Sequence, residues 1–157
     1  MKIATLDYTY KQKALDIYVS GCQGPHCKNC HNPSLWDFNI GQYWIEWKWK
    51  IQDYIREYPE IIENFMIFGG EPLDQPIMDL TDMLKWLKWF QRSIWLFTGK
   101  EKLSLIDKDV LMLIDYIKIG SYREEMGEGG EHFGIQLATS NQKIYRVKRG
   151  IVYEENI

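Results

Sequence analysis

Two absences narrow the class of protein that this sequence encodes. The chain has no run of 18 or more apolar residues, so the sequence predicts no membrane-spanning helix. It has no excess of positive charge, because 19 lysines and arginines stand against 22 aspartates and glutamates and give a formal net charge of −3. We therefore expect neither a membrane protein nor a protein that coats nucleic acid.

The first residues also lack the apolar stretch of a secretory signal, since the chain opens with Met1–Asp7, MKIATLD. We expect a cytoplasmic location, where the environment is reducing and disulfides are rare. At 157 residues the length predicts a single domain spanning residues 1–157. A chain of this size buries enough apolar surface to fold without disulfides.

Cysteine is absent everywhere except in one short segment. Cys22, Cys27 and Cys30 fall within nine consecutive positions of the segment Ser20–Pro33, SGCQGPHCKNCHNP, which we call the cysteine segment. Three cysteines this close together indicate a local binding site and not a covalent framework.

Four interpretations of the cysteine segment are open. A disulfide with one free thiol needs an oxidising compartment. The sequence Cys27–His31 has the form of a c-type haem attachment motif, but that motif leaves Cys22 unexplained. Structural zinc would take the three thiolates and His26 or His31, although such a site usually joins distant pieces of chain. An iron–sulfur cluster would take the three thiolates and leave one iron open to a substrate.

Hydrophobic periodicity predicts strands that alternate with helices. The expected strands are 14–20, 65–68, 94–98, 116–119 and 143–147, and a weaker extended segment covers 1–13. The expected helices are 44–58, a helix after Pro76 with Asp74 or Gln75 as its cap and an apolar stripe from Leu80 to Phe90, and a shorter one within 103–113. The acidic, glycine-rich segment 123–131 has no periodicity, so it is predicted to be a mobile surface loop.

This alternation predicts an α/β fold with a parallel sheet and right-handed crossovers. A closed eight-fold barrel takes about 250 residues. Because the chain is shorter, we expect an incomplete β/α barrel that is open on one side. Ligands of such folds bind at the carboxyl ends of strands, and the cysteine segment and Gly69–Glu71 each follow a predicted strand.

Three parts of the sequence resemble the radical S-adenosylmethionine (SAM) family. They are the cysteine segment, the residues Asn32–Phe38 that overlap its end and continue from it, and Phe68–Leu73, FGGEPL. Within that family the chain resembles the activating proteins of anaerobic ribonucleoside-triphosphate reductases, and the resemblance extends to Tyr116–Tyr122 and Thr139–Tyr145. One feature departs from the family pattern, which has three residues between the first two cysteines. This chain has four, Gln23 to His26, and a Gly-Pro turn there would take up the extra residue.

The resemblance implies two cofactors, a [4Fe-4S] cluster and SAM. Cys22, Cys27 and Cys30 would hold three irons of the cluster, and the methionyl part of SAM would ligate the fourth. The residues implied in SAM binding are Asn29, Cys30, His31, Gly69, Gly70, Glu71 and Thr98.

Different parts of SAM are implied to meet different residues. Glu71 and the backbone of Gly69 and Gly70 would receive the methionyl ammonium group, with glycine allowing a close approach. The backbone beside Cys30, at Asn29 and His31, would contact the adenine. Thr98 would make a polar contact, and the alternative is that its hydroxyl satisfies groups nearby in the chain.

The reaction implied is reductive cleavage of SAM to methionine and a 5′-deoxyadenosyl radical. That radical would take a hydrogen atom from a glycine of the large subunit of the anaerobic ribonucleoside-triphosphate reductase. An external one-electron donor such as flavodoxin or ferredoxin would supply the electron, and no side chain is needed as a catalytic acid or base. Two alternatives stay open: activation of a glycyl-radical enzyme of the pyruvate formate-lyase type, and a zinc-binding adaptor without catalysis.

Overall fold

One mixed sheet of eight strands organises the fold in a computed structural model that describes residues 1–154. Its strands are β1 (Lys2–Thr9), β2 (Ala14–Val19), β3 (Gln42–Tyr43), β4 (Asn64–Gly69), β5 (Ser93–Phe97), β6 (Tyr116–Ile119), β9 (Lys143–Lys148) and β10 (Ile151–Tyr153). A separate hairpin consists of β7 (Glu131–His132) and β8 (Ile135–Gln136). The order across the large sheet is β10-β9-β6-β5-β4-β2-β1-β3.

The centre of the sheet is parallel and its two sides are antiparallel. Strands β2, β4, β5 and β6 pair in parallel, which confirms the predicted arrangement for the strands joined through helices. The predicted parallel arrangement does not extend to the sides of the sheet, where β1 pairs antiparallel with β2 and β9 pairs antiparallel with β6 and β10. For the β1–β2 and β9–β10 pairs the physical reason is the connection, because the turns at 10–13 and 149–150 are too short for a crossover.

Helices α1 (Trp44–Glu57), α2 (Ile77–Lys88) and α3 (Lys108–Leu111) connect the central strands. Short 3-10 turns cover Pro33–Trp36, Pro72–Asp74, Leu103–Leu105 and Glu124–Met126. Among residues 1–154, no helix has the length and apolar character needed to cross a membrane.

The predicted N-cap residue of α2 is wrong. Pro76 occupies the N-cap position and no side chain caps the helix, because the Asp74 and Gln75 side chains bond elsewhere. The predicted apolar stripe is confirmed, since Leu80 and Leu87 are fully buried.

Apolar side chains cover both faces of the sheet, because successive strand residues point to opposite sides. Phe65 and Ile67 belong to the large core that contains the helix residues. Met66 lies on the other face with Trp95, against Phe133 and Ile135 of the β7–β8 hairpin. The hairpin therefore covers part of the face that continues into the cavity described below.

Residues 123–131, predicted to be a mobile loop, lie largely at the surface as expected. They include the turn Glu124–Met126, and the Gly129 amide donates to the Leu137 carbonyl at 3.2 Å. The segment thus has defined backbone contacts, which composition alone does not indicate.

Candidate functional site

A cavity of about 1080 Å³ opens at the carboxyl ends of the parallel strands. Its walls include eight of the nine residues predicted as cofactor or metal contacts: Cys22, Cys27, Cys30, His31, Gly69, Gly70, Glu71 and Thr98. Asn29, the ninth, lies in the cysteine segment between two of these residues, and its amide donates to Glu124 Oε2 at 2.6 Å. Segments far apart in sequence therefore meet at one place, as the strand-end argument predicts.

Strand pairing sets the cysteine segment beside Gly69–Glu71. Val19 at the end of β2 is the register partner of Gly69 at the end of β4. The pairing continues past both strands, since the Gly70 amide donates to the Val19 carbonyl at 2.9 Å and the Glu71 amide to the Gly21 carbonyl at 2.7 Å. The two predicted binding segments thus leave the sheet as bonded neighbours.

The glycines of this segment are required by contacts within the chain itself. Gly69 has φ +135°, a conformation that side chains disfavour. A Cβ on Gly70 would lie 2.3 Å from the Gly21 carbonyl oxygen and 2.5 Å from that of Leu35. Sequence reasoning attributed these glycines to the approach of SAM, and the structure adds the close approach of the cysteine segment.

Glu71 is buried and its carboxylate joins two strand ends. One oxygen accepts from the Leu73 amide at 3.0 Å and from the Thr98 hydroxyl at 2.6 Å, and the other accepts from the Gly99 amide at 2.8 Å. The Thr98 hydroxyl thus donates to a carboxylate 27 residues away in the sequence, and it also accepts from the Lys100 amide at 3.1 Å. Only the Lys100 contact is the local one that the alternative interpretation of Thr98 describes.

Two further side chains after β4 hold the cysteine segment. Asp74 accepts from the Gln23 amide at 2.8 Å and forms an ion pair with Lys100 at 2.7 Å. The buried Gln75 amide donates to the Ser20 carbonyl at 2.9 Å and to the Gly21 carbonyl at 3.1 Å. Sequence reasoning treated Asp74 and Gln75 only as cap candidates, because no local pattern shows partners 51 to 55 residues away.

Lys118 is a cavity residue that sequence reasoning missed. It sits on β6 between Ile117 and Ile119, which point into the helix-side core, so strand alternation turns Lys118 toward the cavity. Its ammonium donates to the carbonyls of Thr98 at 3.2 Å and Gly120 at 3.0 Å. Burial lowers the pKa of Lys118 to about 8, partly offset by the charge of Glu71. The available signal was the lysine itself within an otherwise apolar strand.

The rim of the cavity joins the cysteine segment to the chain after β6. The ring of His31 lies 4.4 Å from that of Tyr122, measured between centroids, and Asn29 bonds to Glu124 as described. These two contacts connect the cysteine segment to the chain that follows β6.

The cysteines are all free thiols, and burial raises the pKa of the Cys22 thiol. The Cys30 amide donates to the Cys27 carbonyl at 3.2 Å, which closes a tight turn between these two residues.

The family comparison identifies a residue range that contains this whole site. A model of the family described as "4Fe-4S single cluster domain" matches residues 13–145. The chain belongs to this family. The activating protein of the anaerobic ribonucleoside-triphosphate reductase of Enterobacteria phage T4 is 25% identical over 114 residues, covering 70% of this chain and 71% of the phage protein.

Membership of the 4Fe-4S single cluster domain family can be tested against the donors in the cavity. Iron–sulfur clusters take cysteine thiolates as ligands. Cys22, Cys27 and Cys30 are the only cysteines of the chain, all are free, and all line the same cavity. Over residues 1–154, no three His, Cys, Asp or Glu side chains are grouped around one point as ligands of a single metal ion. The three free thiols, all in the lining of one cavity, are the donor type that the cluster named in the family description takes.

Proposed function

We propose that this protein is a radical SAM activase that generates a glycyl radical on an anaerobic ribonucleoside-triphosphate reductase. One observation carries the proposal: the three free thiols and the Gly69–Glu71 segment line one cavity at the ends of adjacent parallel strands. The family match supports the 4Fe-4S cluster, and the phage relative supports a reductase as the protein substrate.

The fold is proposed to be an incomplete β/α barrel of the radical SAM type. Four parallel strands joined through helices support this assignment, and β3 and β10 are the two edges of a sheet whose strand order is open. An open side suits a large substrate, because a segment of a protein partner could then reach the strand ends.

Each group of residues has a distinct part in the proposal. Cys22, Cys27 and Cys30 would hold the cluster, and Gly70 and Glu71 would bind the methionyl part of SAM. The bound cluster would supply the one electron that reductive cleavage of SAM needs, and the partner's glycine would be the source of the hydrogen atom. Asn29 and His31 would contact the adenine of SAM through their backbone. Gly69 and Cys30 would also lie against SAM, and Thr98 would hold the Glu71 carboxylate in place.

The protein's own contribution is orientation and exclusion of water. Glu71 receives two backbone amides and one hydroxyl, so its carboxylate is fixed before any ligand arrives. Asp74 and Gln75 fix the start of the cysteine segment in the same way. The proposal requires an external one-electron donor such as flavodoxin or ferredoxin and a reducing compartment, the cytoplasm.

Two experiments test the proposal, and the first concerns the cluster. Anaerobically reconstituted protein should be brown and hold about four irons and four sulfides per chain. Cys22→Ala, Cys27→Ala and Cys30→Ala should each abolish the cluster, whereas Thr81→Ala in α2, remote from the cavity lining, should retain it. Colourless protein with one zinc and no sulfide would favour the zinc-binding adaptor instead.

The second experiment concerns the partner. Reductant, SAM and this protein should release modest amounts of 5′-deoxyadenosine. Adding the anaerobic reductase polypeptide should produce a glycyl-radical doublet in electron paramagnetic resonance, and replacing its C-terminal glycine by alanine should remove it. A doublet only with a partner of the pyruvate formate-lyase type would move the assignment to that class of activase.

A further inference from the structure

The four-residue spacer between Cys22 and Cys27 makes specific contacts through His26. His26, the last residue of this four-residue spacer, lies with its ring parallel to that of Trp36 at 2° and 3.9 Å between centroids. The same ring donates from Nε2 to the Cys22 carbonyl at 2.8 Å. His26 thus contacts both the first cysteine and the 3-10 turn that follows the cysteine segment.

The backbone of Cys22 is consequently held on both sides by the same pair of residues. Its amide donates to the Trp36 carbonyl at 3.1 Å, and its carbonyl accepts from His26. The next amide, of Gln23, donates to Asp74 at 2.8 Å. The backbone of Cys22 is therefore fixed before any ligand binds, although the spacer that follows it contains Gly24 and Pro25.

We propose that His26 is a positioning residue, which clamps Cys22 through the Trp36 stack and thereby sets the Cys22 thiol in place for the cluster despite the longer spacer. This inference rests on the proposed function, because it assigns His26 a role toward the same cluster. Nε2 of His26 is not available as a ligand atom in this arrangement, since its proton is donated to a backbone carbonyl. Partners that orient metal ligands commonly change metal retention by about tenfold or more when removed.

Four variants separate the two contacts of His26. His26→Ala removes both the ring and the donor. His26→Phe keeps a ring on Trp36 and loses the donor, and His26→Gln keeps a donor and loses the ring. His132→Ala is the matched control, because His132 lies in the β7–β8 hairpin away from the cysteine segment.

The measurements are made on anaerobically reconstituted full-length protein without SAM or partner. They are the rate at which a chelator removes iron, the electron paramagnetic resonance spectrum of the reduced cluster, and its midpoint potential. Thermal unfolding of the cluster-free proteins reports any general loss of folding.

We expect His26→Ala to lose iron about tenfold faster than the wild type and to give an altered spectrum, while His132→Ala matches the wild type. His26→Phe and His26→Gln should each restore part of the retention. Unchanged iron loss and spectrum in His26→Ala would overturn the inference, as would an equal effect of His132→Ala. If the wild type itself holds no cluster, the proposed function fails, and that outcome is distinct from failure of the His26 clamp.

Discussion

The hydroxyl of Thr98 donates to the buried carboxylate of Glu71 at 2.6 Å and so links the end of β5 to the loop after β4. A hydrogen bond to a buried charged group contributes about 1.5 to 3 kcal/mol, because the charge otherwise loses a partner that water cannot replace. This hydrogen bond fixes two residues 27 positions apart in the sequence relative to each other.

The first prediction follows from that contact. Thr98→Val preserves the shape of the side chain and removes both the donor to Glu71 and the acceptor of the Lys100 amide, so it should lower the free energy of unfolding by roughly 1 to 3 kcal/mol. Thr81→Val is the control, since the Thr81 hydroxyl only donates to helix carbonyls of Ile77 and Met78. Urea unfolding followed by circular dichroism measures both, and an equal effect of the two substitutions would contradict the special role of the Glu71 contact.

A second prediction concerns the close approach at Gly70. Gly70→Ala places a methyl group against the backbone of Gly21 and Leu35, where relief requires movement of the cysteine segment. We expect a loss of roughly 1 to 3 kcal/mol in stability, together with reduced iron retention after reconstitution. Gly130→Ala provides the comparison, because its Cβ would meet only His132 at an ordinary 3.4 Å. Normal iron content in Gly70→Ala would show that the cysteine segment does not depend on this contact.

The strands of the parallel centre could be predicted because their signal is local. The β-branched and apolar runs at 14–20 and 116–119 correspond to β2 (Ala14–Val19) and β6 (Tyr116–Ile119) almost residue for residue. The meeting of the cysteine segment with Gly69–Glu71 followed from a general rule, that parallel strands present their carboxyl ends at one edge.

The polar contacts that assemble the site could not be predicted in the same way. Gln75 was an apparent helix cap, yet its amide reaches Ser20 and Gly21, and Asp74 reaches Gln23 and Lys100. These partners lie 26 to 55 residues away, so no periodicity encodes them. The antiparallel pairs β1–β2 and β9–β10 could not be predicted from the apolar pattern, because the pairing of a hairpin is set by the length of its turn.

A third prediction concerns Asp16, which lies on β2 with 3% of its surface exposed and one carboxylate oxygen without a hydrogen-bond partner. Burial raises the pKa of Asp16 from 3.8 to about 6, against a lowering effect of the Thr9 hydroxyl. The folded state therefore favours the protonated form of Asp16, and the contribution of Asp16 to wild-type stability falls as pH rises from about 4 to 7. The free energy of unfolding of Asp16→Asn, relative to that of the wild type, should therefore rise by roughly 1 to 2 kcal/mol between pH 4 and pH 7.

Urea unfolding at pH 4 and pH 7 tests the Asp16 prediction, with the exposed Asp82→Asn as control. The test compares the difference in free energy of unfolding between Asp16→Asn and the wild type at pH 4 with the same difference at pH 7. The unpaired amide that Asp16→Asn introduces costs the same at both pH values, so it does not affect this comparison. A difference that stays constant between pH 4 and pH 7 would contradict the assigned cause.

The last prediction uses Lys118, whose titration has the opposite pH dependence. Burial lowers the pKa of Lys118 from 10.5 to about 8, so the folded protein disfavours the charged ammonium. The resulting destabilisation has its full value below pH 8 and decreases to zero as pH rises toward 10.5. Lys118→Met keeps the length of the side chain without its charge, and it should therefore exceed the wild type in stability at pH 7 by roughly 1 to 3 kcal/mol more than at pH 10.

Circular dichroism during urea unfolding at pH 7 and pH 10 measures that difference for Lys118→Met. Lys88→Met at the exposed end of α2 is the matched control and should show no such change. The carbonyls of Thr98 and Gly120 lose a donor in Lys118→Met at both pH values, so this cost cancels in the comparison. If the advantage of Lys118→Met were as large at pH 10 as at pH 7, the buried charge would not be its source, and better apolar packing against the cavity wall would be the remaining physical cause.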